Sequence, residues 1–335
     1  MSTKTPLPPT SCHVCGPRPN VSPDSLFKCS RCKAVLYCGR GHQTSDFREH
    51  KDICKRVKKM RDLMAEEAHK IRNAEEDDWA PANAFEEGVG HFWGIHSTRP
   101  YMRAKLEVIR ALSIMVSRTA VEAALAEALD CLRLCRGDNM GIREVIPTLY
   151  LLLDQYQEAY DFIKWYATSG QDMHYDWGDM DLPFLDVHGA DMTEELPYMR
   201  DNVFFSSCIV YIKMMLTKTV KDAITAHELA DRASLPTVVT DSLGAFLTPN
   251  GQARSLADLK KLHKKLERQL DEAFTTSNEQ NPHFFPTMLD PMPLVEAPDA
   301  PYYAPGDANQ VKIWAKQNFF LWVRYHDFIR EKLGK

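Results

Sequence analysis

Apolar residues recur every three to four positions over most of this chain, the period of helices that bury one face. Ile53, Val57, Met60, Met64 and Ala68 carry such a stripe and predict a helix from Cys54 to about Asn73. The period then lapses. Ala74 to Pro100 combines acidic Glu75-Glu76-Asp77-Asp78 with Trp, Phe and Gly residues and reads as a linker with anchoring aromatics, so a domain boundary is placed there. From Tyr101 the helical pattern returns: Leu106, Ile109, Leu112, Met115 and Val116 form one stripe, and Leu125, Ala128, Leu129, Leu132 and Cys135 a second, ended by Gly137-Asp138-Asn139. Ile142 to Leu153 and Glu158 to Ala167 flank Asp154-Gln155-Tyr156, which predicts an antiparallel hairpin with Pro147 in the first turn or at a kink.

Further helices are expected over Arg200 to Leu216, Val220 to Ala233 and Leu256 to Phe274. The last carries Leu256, Leu259, Leu262, Leu266, Leu270 and Phe274 on one face and needs a partner helix. A final amphipathic helix, about Ala308 to Lys332, should close the fold with Ile313, Trp314, Phe320, Leu321, Val323 and Phe328. The fold class is therefore mainly α. Glu127 to Arg133 aligns with Glu158 to Lys164 at an offset of 31, near the 34-residue tetratricopeptide period, so the helical region reads as tetratricopeptide-like. Two stretches interrupt the helices. Asp172 to Pro197 holds six Asp without the spacing of a calcium loop and reads as a solvated acidic loop. Residues 282–305 hold seven prolines and read as an extended strap, with Pro291-Met292-Pro293-Leu294 packing across helices.

At 335 residues and 44% hydrophobic content, the chain has room for a small module plus one sizeable domain. No apolar run approaches the roughly 18 residues of a membrane span, and no membrane partner is expected. Charge is uneven: residues 1–72 hold 15 Lys and Arg against 7 Asp and Glu, although the whole chain carries −5. The run Lys55-Arg56-Val57-Lys58-Lys59-Met60-Arg61 is a candidate nucleic-acid or nuclear-localisation patch, with a solvated helix face as the plainer reading.

The first 54 residues change the picture. A Pro-rich leader, Met1 to Ser11, reads as extended and mobile. It is followed by four pairs of soft ligands: Cys12-x2-Cys15, Cys29-x2-Cys32, Cys38-x3-His42 and His50-x3-Cys54. A two-residue gap lets a knuckle turn aim both thiolates at one ion, and a three-residue gap puts both ligands on one helix face a turn apart. Eight ligands fill two zinc tetrahedra. So short a stretch cannot bury a sufficient core, whereas structural zinc contributes on the order of 10–16 kcal/mol coupled to folding. The remaining thiols, Cys131, Cys135 and Cys208, suggest no disulfide framework, which fits a reducing intracellular compartment, cytoplasmic or nuclear.

These pairs, with Tyr37-Cys38, Gln43 and His50-Lys51, resemble the MYND zinc finger over residues 12–54. The resemblance implies an interleaved fold in which Cys12, Cys15, Cys38 and His42 share one zinc and Cys29, Cys32, His50 and Cys54 the other. It also implies a groove for proline-containing peptides, lined here by Tyr37, Gln43 and Phe47. Two positions depart from the family: His42 stands where Cys is usual, and Phe47 where Trp is usual. Phe47 keeps a stacking face and loses the indole donor.

The sequence thus describes a leader (1–11), a finger (12–54), a basic helix and linker (55–100) and an α-helical domain (101–335). This predicts a non-enzymatic adaptor that binds proline-containing protein segments and uses its helical region as a scaffold. A chromatin-associated regulator with weak nucleic-acid contact is the alternative. An iron and 2-oxoglutarate hydroxylase is disfavoured: His174, Asp176 and His227 mimic a two-His, one-carboxylate set, but their surroundings read as helix, not as the strands of a jelly roll.

Overall fold

The computed structural model describes residues 7, 10–75, 81–115, 117–195, 202–229, 244–247, 254–298 and 302–334. Most of the leader, most of the acidic run 75–78, Val116, and the expected helix ends at Arg200 and Ala233 lie outside these residues. The fold is mainly α. Its one sheet among the described residues is a two-stranded antiparallel pair, β1 (Phe27–Lys28) and β2 (Leu36–Tyr37). The chain divides into two compact units. The first contains Lys4–Leu153 and His174–Phe184; the second contains Met1–Thr3, Asp154–Met173 and Leu185–Lys335. The finger and the helices that follow it, up to Leu153, therefore share one unit.

In the first unit α1 runs over Arg40–Arg72, 33 residues, and so begins inside the ligand run. Cys38 lies before it, separated from the helix by the extended N-cap residue Gly39, which corrects the expectation that Cys38 and His42 share a helix face; only His50 and Cys54 do. The expected linker folds into α2 (Ala84–Glu87) and two 3-10 turns, with Phe85 against Phe92 at 5.1 Å and Tyr101 at 5.2 Å and the Arg72 guanidinium 4.8 Å from the Phe85 ring. Such aromatic pairs hold an otherwise irregular stretch by about 0.5–1.5 kcal/mol each beyond area burial.

The next helices, α3 (Arg99–Ser113) and α4 (Arg118–Leu134), bury the two stripes read from sequence, including Ile109, Leu112, Leu125, Ala128 and Leu132. They are also tied by charge, because buried Lys105 reaches from α3 to Glu127 and Asp130 on α4. Ser117 caps α4 by accepting from the Ala120 amide and donates its own proton to the Ala34 carbonyl at 2.9 Å, stitching the helix start to the finger. Asp138, in the left-handed region at φ 48°, accepts from the amides of Ile142 and Arg143, so the chain turns where Gly137-Asp138-Asn139 suggested. α5 (Ile146–Leu152) then carries Pro147 in its first turn, where the missing N–H costs nothing. His174–Phe184 returns to this unit, held by Arg136 on the carbonyls of Asp179, Met180 and Leu182.

The second unit contains α6 (Tyr156–Ala167), α7 (Val203–Leu229), α8 (Gly244–Leu247), α9 (Leu256–Gln280), α10 (Phe284–Leu289), α11 (Met292–Glu296), α12 (Ala308–Trp322) and α13 (His326–Leu333). The two segments of the 31-residue echo fall in α4 and α6, which belong to different units, as do the arms α5 and α6 of the expected hairpin. The two helices expected across 200–233 are one. Thr217-Lys218-Thr219 looked like a break, but it contains no Gly or Pro, and Thr217 Oγ1 satisfies itself on the Lys213 carbonyl at 2.7 Å. α7 is the partner that the leucine stripe of α9 demanded. Ser206 with Gln280, Lys213 with Gln269 and Glu228 with Lys260 pair α7 and α9 antiparallel.

By length and composition α7 is apolar enough to cross a membrane, contrary to the sequence reading, yet 78% of its apolar window is buried within the protein. Its hydropathy is that of a core helix wrapped by neighbours.

The proline-rich stretch forms two short helices where a strap was expected: Pro291 and Pro293 sit at the start of α11, where a fixed φ is compatible with a helix, and α10 buries Phe284, Phe285 and Met288. Phe285 stacks on Phe274 of α9 at 4.4 Å. The expected closing helix is two, broken at 323–325, which leaves Val323 exposed while Trp322 and Ile329 stay buried.

Candidate functional site

The finger gathers its eight ligands into two clusters: Cys12, Cys15, Cys38 and His42, and Cys29, Cys32, His50 and Cys54. The pairing is interleaved, first pair with third and second with fourth. In each cluster the four donor atoms lie within 4.8 Å of one another.

Local structure explains this placement. The Cys12 carbonyl accepts from the Gly16 amide at 2.8 Å and the Cys29 carbonyl from Lys33 at 2.9 Å, which curls both Cys-x2-Cys segments into knuckles. Gly16 and Lys33 take the left-handed backbone that such a knuckle requires, at φ 67° and 55°. The backbone pairing of β1 and β2 sets the second knuckle against the head of α1, which supplies His42, His50 and Cys54 from one rigid element.

The ligand spacing fits zinc. Zn–S bonds of about 2.3 Å and Zn–N bonds of about 2.0 Å place tetrahedral neighbours about 3.8 Å (S···S) and about 3.5 Å (S···N) apart. Cys15–Cys38 is 3.8 Å and Cys29–Cys54 is 3.7 Å between sulfurs; Cys12 to His42 Nδ1 is 3.4 Å and Cys32 to His50 Nε2 is 3.5 Å. These contacts are tetrahedron edges, not thiol hydrogen bonds. His42 thus serves through Nδ1 and His50 through Nε2.

Electrostatics points the same way. Burial pushes the Cys12 thiol up, but the amides of Cys15, Cys38 and Val14 and the His42 side chain outweigh it and bring it down to about 6. In the second cluster burial and the neighbouring Cys29 and Cys54 push Cys32 up to about 12. Three thiolates so close together ionise fully only around a cation, and zinc supplies that charge. Burial lowers His50, which keeps the imidazole neutral as a ligand. When bound, two zinc ions supply cross-links in place of a core.

Of the three residues expected to line a peptide groove, two lie at the surface of α1. Gln43 is half-buried and Phe47 is 54% exposed, one turn apart on α1. Tyr37 does not: at 0% exposure it lies inside the finger, with its ring 6.3 Å from His50 edge to face and its hydroxyl donating to Asp46 Oδ2 at 2.5 Å. α1 crosses directly over β2, and this packing, invisible in the residue spacing, turned Tyr37 from a lining residue into a supporting one.

Asp46 was missed. It accepts from Tyr37 and approaches His13 Nε2 at 4.0 Å, joining both knuckle regions to α1. A single Asp in a charged helical run gives no signal of that role. Tyr37→Phe is expected to lower the finger's stability by about 1–2 kcal/mol, since it leaves a mostly buried carboxylate short of a donor. Chemical unfolding of the zinc-loaded protein would show this, and an unchanged midpoint would count against the bond.

Eight soft ligands in two interleaved tetrahedra, at the head of one long helix, define a zinc-binding module. Residues 12–54 match the family model of the MYND finger, and this segment is a MYND finger, a type of module through which proteins contact other proteins. No curated protein and no solved structure matches the chain.

Proposed function

We propose that this protein is a non-enzymatic adaptor that docks proline-containing segments of partner proteins on the face of α1 bearing Gln43 and Phe47. The observation that carries the reading is Phe47: a large aromatic ring 54% exposed at the head of a helix anchored by His42 below and His50 above. Exposed aromatic faces suit polyproline segments, whose preset backbone has little entropy left to lose on binding. The helical remainder then serves as scaffold, in a reducing intracellular compartment that keeps zinc thiolates intact.

Other observations weigh against the alternatives. His227 lies within α7, a helix and not a strand of a jelly roll. In the basic run, Arg56 pairs with Glu107, Lys58 with Asp62, and Arg61 donates to the Cys32 carbonyl, so these three are engaged locally and less suited to phosphate contact.

Gln43→Ala combined with Phe47→Ala should weaken binding of a proline-containing peptide tenfold or more, about 1.4 kcal/mol, with both zinc ions retained. Calorimetric titration with parallel metal analysis reads both quantities. Unchanged affinity, or loss of zinc in the double variant, would overturn the assignment.

A further inference from the structure

The two zinc clusters differ sharply in their surroundings. Cys29, Cys32, His50 and Cys54 are all buried, with Cys32 at 0% exposure. Around them Ala34, Val35, Tyr37 and Val57 are buried too, Arg61 reaches over to the Cys32 carbonyl, and Ser117 at the start of α4 holds the Ala34 carbonyl. This cluster is part of the core of its unit. In the other cluster Cys12 is buried, Cys15 and His42 are intermediate, and Cys38 is exposed.

We infer that the two sites have separate duties: the Cys29/Cys32/His50/Cys54 site is a fixed structural cross-link, and the Cys12/Cys15/Cys38/His42 site is an exchangeable one that sets whether the head of α1 is formed. Zinc leaves a tetrahedral thiolate site by ligand exchange, in which an incoming donor must reach the metal as a resident ligand departs. With zinc bound, exposed Cys38 would be the ligand that an incoming donor displaces, one zinc–sulfur bond being given up for one bond to the donor. At the buried site no such approach exists without opening the unit. The Tyr37 ring against His50 and Arg61 on the Cys32 carbonyl further hold the second set in place.

The consequence for α1 follows from its start. Gly39 caps the helix with no side-chain acceptor, so the first turn depends on Cys38 and His42, one on each side of Arg40, being held by the same ion. Asp46, bonded to Tyr37, pins the helix only from the next turn onward. Loss of the first zinc therefore frays the turn that carries Gln43 and leaves α1 from Asp46, with α3 and α4, in place. Coupling this exchange to peptide docking rests on the function proposed above, whereas the order of zinc release does not.

The test uses the full-length, two-zinc protein and an excess of a chromophoric zinc chelator, with no peptide present. Release is expected in two steps, one equivalent each, separated by roughly tenfold or more in rate. After the first step helical circular dichroism should be nearly unchanged, and hydrogen exchange should rise over residues 38–44 but not over α3 and α4. Limiting N-ethylmaleimide, read by peptide mass spectrometry, should label Cys15 and Cys38 before Cys29, Cys32 or Cys54. Release of both ions in one step, collapse of the helical signal with the first ion, or earlier labelling of the second set would overturn the inference. A two-step release with no peptide affinity in the loaded protein would instead sustain the inference and count against the docking face.

Discussion

Cys32→Ser is expected to unfold the whole first unit, helices α3 and α4 included, and not the finger alone. The sulfur belongs to a residue with 0% exposure, so no water can take its coordination position, and serine is a poor zinc ligand. Structural zinc is worth on the order of 10–16 kcal/mol in coupled folding, while a whole domain is stable by only about 5–15 kcal/mol. Losing most of one site therefore exceeds what the remaining packing supplies. The coupling to the helices runs through Ser117 on the Ala34 carbonyl, Arg61 on the Cys32 carbonyl and Arg56 with Glu107, all tying finger to helix within one unit. Hydrogen exchange of the variant should show protection lost across residues 99–134; protection retained there with zinc gone would mean that the finger folds as a separable bead.

The second large effect concerns Lys213 in the other unit. Its ammonium is fully buried on α7 and donates to the Met192 carbonyl at 2.7 Å and to Gln269 Oε1 at 2.8 Å, with the Glu194 carbonyl at 3.4 Å. Gln269 in turn donates to the carbonyls of Thr193 and Glu194, so the irregular segment before α7 is clamped to α7 and α9 by backbone acceptors. Burial, with Lys265 adding to it and Asp191, Glu195 and Glu194 opposing, brings the amine down to about 8.

The folded chain thus gives up this proton at lower pH than the unfolded chain, whose lysine titrates near its usual 10.5. Between about pH 8 and 10.5 the unfolded state binds more protons, so this group's contribution to stability rises with pH and is lost as pH falls through 8. The full span amounts to about 3 kcal/mol. Lys213→Met keeps the stem and removes the titration. Relative to that variant, the native protein should gain about 1–3 kcal/mol when urea unfolding of the second unit is compared at pH 7 and pH 10. A difference independent of pH would show the amine to be ordinary. Lys213→Ala, which also opens a cavity and strands the two acceptors, should cost about 2–5 kcal/mol at pH 7.

What the sequence made legible follows from how local each signal is. Zinc ligation is local: four closely spaced pairs mark the eight ligands, although of the two three-residue gaps only His50 to Cys54 is a helical turn, and the interleaved pairing carried by the MYND resemblance is the pairing found. Helix stripes at Ile109, Leu112, Leu266 and Leu270 were legible for the same reason, since each face is written within a few turns. Errors arose where a neighbour decides. Tyr37 sits beside a ligand and was read as surface, yet the crossing of α1 buries it. Polar Thr217-Lys218-Thr219 suggested a gap, but α9 packs along the continuous α7 and the threonine bonds back to the helix. Prolines at 291 and 293 suggested an extended strap, whereas at a helix start proline is favoured. Lys213 in an otherwise apolar helix carried no hint of its carbonyl acceptors, because these come from residues 192, 194 and 269.

The most direct test of the account is the metal content of the purified chain, measured by elemental analysis on protein of known concentration after gel filtration. Two zinc ions per chain are predicted, with helical signal over the first unit lost once both are stripped and regained when zinc is restored. One ion or none in a folded protein, or iron in their place, would contradict the two tetrahedral sites and the adaptor reading built on them.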